Sequence, residues 1–79
     1  MSPNSAEILV DARGHRCPVP TLRLRRALEG APAGARMRLL VDDPLARIDV
    51  PHFAAAAGAQ VLEQAETEGG GLSFLVAKA

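Results

Sequence analysis

The chain has 79 residues and a mass of 8.3 kDa, enough for one small domain with a thin core. With 48% apolar and 23% charged residues, its composition is that of a globular protein and excludes disordered and fibrous classes. The single cysteine excludes an internal disulfide, and no signal sequence or long apolar stretch is visible. We therefore expect a cytoplasmic protein with a single domain over 1–79, in which residues 1–6 form a loose tail.

The charges sum to zero but are unevenly distributed along the chain. Residues 1–38 hold seven arginines against three acidic residues, a net charge of +4, whereas residues 39–79 hold two basic residues against six acidic ones, a net charge of −4. Such polarity can orient a charged protein partner. Two phenylalanines are the only aromatic residues, which disfavours a surface that stacks on nucleic-acid bases. We expect no direct nucleic-acid partner, no membrane partner, no cofactor and no metal.

The first part of the chain predicts a strand, a loop and a helix. The apolar run Glu7–Asp11 has the length of a strand, and residues 12–16 form a polar loop. Pro18 and Pro20 indicate a helix start after this loop, because proline is tolerated only in the first turn of a helix. A glycine and a proline end this helix after about Glu29.

The second part predicts a further strand, a second helix and a hairpin. Alternating apolar residues predict a strand over 36–42. A loose turn is expected over 44–48, with a regular helix only over 51–57, because the residue before a proline avoids helical geometry. Three consecutive glycines between 60–68 and 72–77 predict an antiparallel hairpin of two strands.

These elements give the order β-α-β-α-β-β, which predicts an α/β fold. A right-handed crossover makes the first two strands parallel, and the hairpin makes the last two antiparallel. Two helices can cover only one face of a four-stranded mixed sheet. The prediction is therefore a two-layer α/β sandwich whose second sheet face is in water.

Cys17 is the residue with the most reactive side chain, and it lies at or within one residue of the predicted helix start. Free backbone N–H groups and the helix dipole favour a thiolate there, and Arg13, His15 and Arg16 add positive charge. We therefore expect the pKa of Cys17 below the free-thiol value of about 8.5. A thiolate is a nucleophile, and His15 is a candidate general base. The alternatives are a buried structural cysteine and a solvated histidine.

The helical wheel of this first helix predicts one face on the sheet and one in solvent. The sheet face contains Pro20, Thr21, Leu24, Ala27 and Leu28. The solvent face combines exposed apolar groups with arginines, one turn from Cys17, which suits a protein partner. Scattered surface residues without a function are the alternative. Together with the preceding loop, the predicted docking residues are Arg13, Arg16, Val19, Leu22, Arg23 and Arg26.

Two stretches of the chain resemble the TusA/SirA-like sulfur-carrier family. The first is Asp11-x-x-Gly14-x-x-Cys17-Pro18-x-Pro20, and the second comprises Leu40-Val41-Asp42-Asp43-Pro44 and Asp49-Val50-Pro51-His52-Phe53. The resemblance extends from about Glu7 to Lys78. It implies the same β-α-β-α-β-β sandwich, similar to the C-terminal domain of translation initiation factor 3.

The resemblance also implies a sulfurtransferase activity. In this family the motif cysteine, here Cys17, accepts sulfane sulfur from a cysteine desulfurase or rhodanese-type donor protein. It carries the sulfur as a persulfide to an acceptor protein, for tRNA thiolation, sulfur oxidation or cofactor synthesis. Val19 stands where the tRNA-thiolation branch has an acidic residue, so the tRNA role is not favoured.

The other motif positions are predicted to support Cys17. Asp11 is expected to accept backbone N–H bonds in the loop, and Gly14 to supply a positive φ. Pro18 and Pro20 stiffen the turn, and the acidic pair Asp42-Asp43 is predicted to be a strand end and a helix cap.

Two other functions remain open at the level of sequence. One is a nonenzymatic regulatory domain in which Cys17 is a structural cap, and the other is an RNA-binding domain on the related fold. For the chain by itself we expect a monomer.

Overall fold

The computed structural model describes residues 7–79, so the predicted tail over 1–6 lies outside the described residues. Six regular elements follow one another in the predicted order. They are β1 (Ile8–Asp11), α1 (Val19–Glu29), β2 (Arg36–Val41), α2 (Ala46–Ala56), β3 (Gln60–Glu66) and β4 (Leu72–Ala77).

The four strands form one mixed sheet in the order β1-β2-β4-β3. β1 pairs in parallel with β2, and β4 pairs antiparallel with both β2 and β3. The predicted α/β architecture, the parallel first pair and the closing hairpin are confirmed. Because β1 and β2 are parallel and adjacent, the loops that follow them leave the sheet at the same edge.

The core lies between the sheet and the two helices. Alternate residues of β2 and β4 point to this side, and Leu39 stands opposite Phe74 in the register. α1 contributes Leu24 and Leu28, and α2 contributes Val50. The largest fully buried side chains are Phe74, Leu24, Met37, Leu39, Val41, Val50 and Val76. Burial of this apolar surface is the main term that favours folding.

The second face of the sheet differs from the prediction of a face in water. Leu75 is only 3% exposed there, although no helix covers it. Its cross-strand neighbour Arg38 donates two 3.1 Å hydrogen bonds to Glu7 and one of 3.2 Å to Ser73. Held in this way, the long arginine side chain shields the centre of the face, because arginine can bury its stem while its head stays polar. Leu9 remains largely exposed beside it.

The predicted break before Pro51 is wrong, because α2 is one helix from Ala46 to Ala56 with Pro51 inside it. Its buried residues are spaced four apart, at Ala46, Val50 and Ala54. Packing of this apolar stripe on the sheet keeps α2 helical on both sides of Pro51. It therefore outweighs the tendency of Val50, the residue before the proline, to avoid helical geometry. The predicted turn over 44–48 is a tight entry with 3₁₀-type bonds, such as the 3.0 Å bond from Ile48 N–H to the Leu45 carbonyl.

The hairpin is confirmed, but β3 ends at Glu66 and not at the predicted position 68. A short 3₁₀ turn over Glu68–Gly70 follows, in which two glycines adopt φ values of 82° and 87°. Val61 stands opposite Val76 and Glu63 opposite Leu75, which directly precedes Val76, so Leu62 is the extra residue of a bulge. The bulge explains why the apolar residues of β3 do not alternate in the sequence.

Replacing Pro51 with alanine is expected to stabilise the protein. Alanine restores the N–H that proline lacks and removes the clash of the proline ring with the Arg47 carbonyl. The free energy of unfolding should rise by up to about 3 kcal/mol in Pro51→Ala, measured by urea denaturation. The exposed neighbour His52→Ala is the control and should change it by less than about 0.5 kcal/mol. Equal free energies of unfolding for Pro51→Ala and the parent protein would contradict this account of α2.

Candidate functional site

The loop after β1 and the loop after β2 are joined by hydrogen bonds. The Gly14 N–H donates to both carboxylate oxygens of Asp42, at 3.0 and 2.9 Å. Gly14 has a φ of 83°, which lies in the left-handed region that glycine adopts without strain, as predicted. The Ala12 N–H also donates to the Leu40 carbonyl at 2.8 Å. The segment that leads to Cys17 is therefore fixed to the edge of the sheet.

Asp11 holds the start of this loop in place by binding Arg13. Its carboxylate accepts hydrogen bonds from the backbone N–H, Nε and Nη2 of Arg13, at 3.1, 2.9 and 2.7 Å. The guanidinium of Arg13, and then its backbone N–H, lower the pKa of Asp11 to about 2. The expected loop-closing contact of Asp11 is confirmed. Much of the Arg13 charge is therefore engaged within the loop.

Cys17 is exposed and precedes Pro18, the N-cap residue of α1, across a cis peptide bond. Its backbone N–H donates to Asp43 Oδ2 at 2.8 Å, and Asp43 Oδ1 accepts the Leu45 N–H at 3.0 Å. These two N–H groups, that of Cys17 first, lower the pKa of the buried Asp43 carboxyl. Asp43 therefore ties Cys17 to the turn that precedes α2. It caps this turn and not, as had been predicted, the helix itself, because the N-cap residue of α2 is Leu45 and no side chain caps it.

The side chain of Cys17 lines a cleft between the two helices that is too narrow to hold a water molecule. Two of the lining residues are the acids Asp43 and Asp49. Buried Ala46 and Val50 flank Asp49 in α2, so their packing fixes the side of the helix from which Asp49 extends. The lining residues are Cys17, Pro20, Thr21, Asp43, Ala46, Asp49 and Val50.

The expectation of a lowered pKa for Cys17 is wrong. A hydrogen-bonding interaction with the Asp49 carboxylate raises the pKa of this thiol, followed by desolvation and by the negative charges of Asp49 and Asp43. A nearby carboxylate favours the neutral thiol over the thiolate, because the thiolate is also negative. The acids around Cys17 therefore favour its thiol form over the thiolate.

The start of α1 cannot offset these acids, because it has few free donors. Pro18 and Pro20 have no N–H, and the Val19 N–H donates to the Arg16 carbonyl at 2.9 Å. Thr21 is then the only residue of the first turn whose N–H could face an anion. The usual helix-start effect on a cysteine depends on several such N–H groups.

The predicted exposed stripe of α1 is largely observed. Arg23 and Arg26 are exposed and Leu22 is 54% exposed, whereas Val19 is half-buried, contrary to the prediction. Arg23 Nη1 donates to the Asp11 carbonyl at 3.4 Å, so this arginine leans toward the loop before Cys17. On the opposite side of the helix, Pro20, Leu24 and Leu28 are buried and Thr21 and Ala27 half-buried, as predicted.

His15 lies on a different side of the loop from the cleft. It is half-buried, and it lines a groove with Gly14, Arg16, Asp42, Asp43 and Pro44 that does not include Cys17. The structure therefore gives the proposed base role of His15 no geometric support.

Three residues of this region were given no role from the sequence, in which Asp49 stood only as part of the second family stretch. Asp49 lies next to the Cys17 thiol, and Leu45 and Ile48 are apolar residues of the same stretch that are 56% and 70% exposed. The acid could have been found from the parallel pairing of β1 and β2, which brings the segment after β2 to the Cys17 loop. The exposure of Leu45 and Ile48 depends on the rotation of α2 and has no signal in the sequence.

Residues 7–79 contain no group of three or more His, Cys, Asp or Glu side chains that could hold a metal ion. No helix within this range is long and apolar enough to cross a membrane. Lys78 is half-buried, and its Nζ donates to the Ala31 carbonyl at 2.6 Å. It therefore helps to fasten the last strand to the segment after α1.

Comparison with known proteins gives consistent results over nearly the whole chain. The family model described as sulfurtransferase TusA matches residues 8–78. A putative sulfur carrier protein of Archaeoglobus fulgidus is 37% identical, over 85% of this chain and 87% of its own. The sulfur carrier protein TusA of Pseudomonas aeruginosa is 30% identical, over 96% of each chain. The crystal structure of a SirA-like protein from Desulfitobacterium hafniense superposes with a TM-score of 0.78 and 32% identity, over 89% of this chain and 95% of that one.

Replacing Asp43 with asparagine should weaken the fold around Cys17. The single amide oxygen of asparagine can replace only one of two acceptors, which leaves the Cys17 or the Leu45 N–H without its bond. We expect the thermal midpoint at pH 7 to fall by about 5 °C or more. The control is Glu66→Gln, which removes only a surface ion pair with Arg47 and should leave the midpoint nearly unchanged.

The pH dependence of the same variant gives a second test. Because the pKa of Asp43 is lowered in the folded state, its stabilisation is present above the unfolded value of about 3.9 and is lost as the pH falls through the lower folded value. The difference in midpoint between the parent protein and Asp43→Asn should therefore shrink below about pH 4. A difference that stays constant from pH 7 into that range would contradict the assignment.

Proposed function

Because the chain belongs to the TusA sulfurtransferase family, we propose that it carries sulfane sulfur as a persulfide on Cys17 and delivers it to an acceptor protein. The sulfur-carrier names of its relatives support a role in sulfur transfer. The observation that carries the proposal is the exposed Cys17 at the end of a loop that hydrogen bonds hold at both ends. Cys17 is also the only cysteine of the chain.

Loading of the carrier is an exchange between two sulfur species. Cys17 Sγ attacks the terminal sulfur of a donor persulfide, R–S–SH, and the S–S bond of the donor breaks. The products are Cys17–S–SH and R–SH, so the exchange needs neither an oxidant nor a reductant. Delivery is the same reaction with an acceptor thiol as the attacking group. The donor we propose is a cysteine desulfurase or rhodanese-type protein.

The lone cysteine makes this carrier dependent on protein partners. Without a second cysteine, a persulfide on Cys17 cannot be resolved as an internal disulfide, so its outer sulfur leaves only to another molecule. Each partner must bring its sulfur to within bonding distance of Cys17. Its surface must then cover the Arg13–Arg16 loop and part of the exposed stripe of α1.

Exposed apolar residues on both sides of Cys17 support such docking. Leu22 belongs to α1, and Leu45 and Ile48 belong to the entry and first turn of α2, next to cleft residues Ala46 and Asp49. Apolar groups bordered by arginines are typical of surfaces that bind proteins. Arg16, Arg23 and Arg26 supply the positive border, which favours an acidic partner surface.

The proposal is tested by loading the protein with a cysteine desulfurase and cysteine, followed by intact-mass measurement. The parent protein should gain one sulfur atom, which a thiol reductant removes. Cys17→Ser should gain none while its circular dichroism and thermal midpoint remain those of the parent, because the exposed thiol contributes little to the core. Sulfane sulfur on the Cys17→Ser protein would refute the proposal.

Reversing two charges on α1 should slow the encounter with a partner. In Arg23→Glu with Arg26→Glu, we expect association with the donor protein to slow by roughly 10-fold at low salt, with a smaller effect at high salt. Stopped-flow measurement of sulfur transfer at two ionic strengths gives both values. Transfer by this variant at the parent rate in low salt would exclude this stripe as the docking surface.

An apolar substitution separates contact from charge on the same stripe. Leu22→Ala should weaken binding of the donor protein with little dependence on salt, because it removes apolar contact area and no charge. Leu62→Ala is the matched control, since Leu62 is an exposed leucine on β3 rather than beside Cys17. Equal losses of affinity in the two variants would contradict the assigned surface.

A further inference from the structure

Asp49 is the acid of the Cys17 region that the described contacts leave uncommitted. Asp11 is bound by Arg13, Asp42 by the Gly14 N–H, and Asp43 by two backbone N–H groups. The hydrogen bonds and ion pairs described for residues 7–79 give Asp49 no arginine, lysine or backbone N–H as a partner. Asp49, which lines the same cleft as Cys17, is therefore the carboxylate of this region that has no described partner.

The position of Asp49 is built into the fold and does not depend on a flexible side chain alone. Ala46 and Val50, buried on either side of it in α2, set its direction, and the narrow cleft excludes water between it and Cys17. Asp49 is itself half-buried. A carboxylate in such a cleft interacts with a neighbouring proton more strongly than one in bulk water does.

We propose that Asp49 positions the Cys17 thiol and relays its proton during sulfur transfer. The proposal rests on Cys17 being the sulfur-carrying residue. It assigns to Asp49 a role in the exchange itself, beyond the role of Asp43 in holding the backbone of Cys17 in place.

The proton has a complete path in this scheme. As Cys17 Sγ bonds to the terminal sulfur of R–S–SH, its proton moves to a carboxylate oxygen of Asp49. The S–S bond of the donor breaks, and the same proton then passes to the released sulfur to give R–SH. The proton moves between two thiol-type sulfurs of similar acidity, so the carboxylate holds it only in passing.

The Cys17 thiol must lose its proton as its sulfur bonds to the donor, and the neighbouring acids raise its pKa. Asp49 faces the thiol from α2, and Asp43 faces the cleft from the segment after β2. On the preceding loop Arg16 interacts with Asp43, whereas His15 lines the groove on the other side. Asp43 already accepts two N–H groups, so Asp49 is the group available for the proton.

Two reactions of Cys17 separate this role from a merely structural one. Alkylation by iodoacetamide releases iodide, which needs no proton, so its rate follows the amount of thiolate. Loading from cysteine persulfide releases a sulfur that does take up a proton. Asp49→Asn should therefore act on the two reactions in opposite directions.

For Asp49→Asn, we expect alkylation at pH 7 to become roughly 10-fold faster, with its pH midpoint shifted to lower pH, because the negative charge beside Cys17 is gone. Loading from cysteine persulfide at the same pH should become roughly 10-fold to 100-fold slower. Asp49→Glu keeps a carboxylate and should load faster than Asp49→Asn. Glu66→Gln, the same kind of charge change on β3, should alter neither rate.

Faster loading in Asp49→Asn, or an unchanged loading rate, would overturn the relay, and an unchanged alkylation profile would overturn the contact between Asp49 and Cys17. If Asp49→Asn has a lower thermal midpoint than the parent protein, Asp49→Glu is compared with the parent instead. The loading rate of Asp49→Glu must then change together with the pH midpoint of its alkylation. These outcomes leave the proposed function standing, which fails only if Cys17→Ser still takes up sulfur.

Discussion

The Asp43 carboxylate is the contact on which the arrangement of the site depends. It accepts one N–H from Cys17, before α1, and one from Leu45, before α2, so a single buried side chain sets the separation of the two helix starts. This arrangement is possible because β1 and β2 are parallel neighbours whose following loops meet at one edge of the sheet. The cleft between the helices, and the acid that enters it from α2, follow from this bridge.

The pKa of Cys17 depends on two features of its surroundings, a helix start with few free N–H donors and nearby acidic side chains. Prolines at positions 18 and 20 remove two of the first N–H groups of α1, and the Arg16 carbonyl takes a third. Arg13, which adds charge to the loop, is bound to Asp11. Asp49 lines the cleft with Cys17 and has no described partner of its own, so the acids there favour the neutral thiol even though the first half of the chain is basic.

The sequence predicted the element order, the parallel pair β1–β2, the hairpin β3–β4 and the support of the loop by Asp11 and Gly14, because these depend on local patterns, crossover handedness and turn chemistry. It made no prediction of the pairing of β2 with β4. It failed where distant packing outweighs local preference. The buried stripe through Val50 carries α2 across Pro51, and the bulge at Leu62 breaks the alternation of β3. The pKa of Cys17 was misjudged because its main cause, Asp49, is 32 positions away in the chain, and because the prolines were treated only as helix-start signals and not as missing donors.

The narrowness of the cleft also bears on how a persulfide is presented. The cleft has no room for a water-sized group, so in the proposed carrier the outer sulfur of a Cys17 persulfide lies outside the cleft, on the exposed side of Cys17. Leu22, Leu45 and Ile48 are exposed apolar residues at the starts of the two helices and are open to a partner. Sγ itself stays beside Asp49. On delivery the acceptor thiol loses a proton as it takes the outer sulfur, and Sγ, the leaving atom, takes one up. In the proposed relay the Asp49 carboxylate carries this proton between the two sulfurs, as it does on loading.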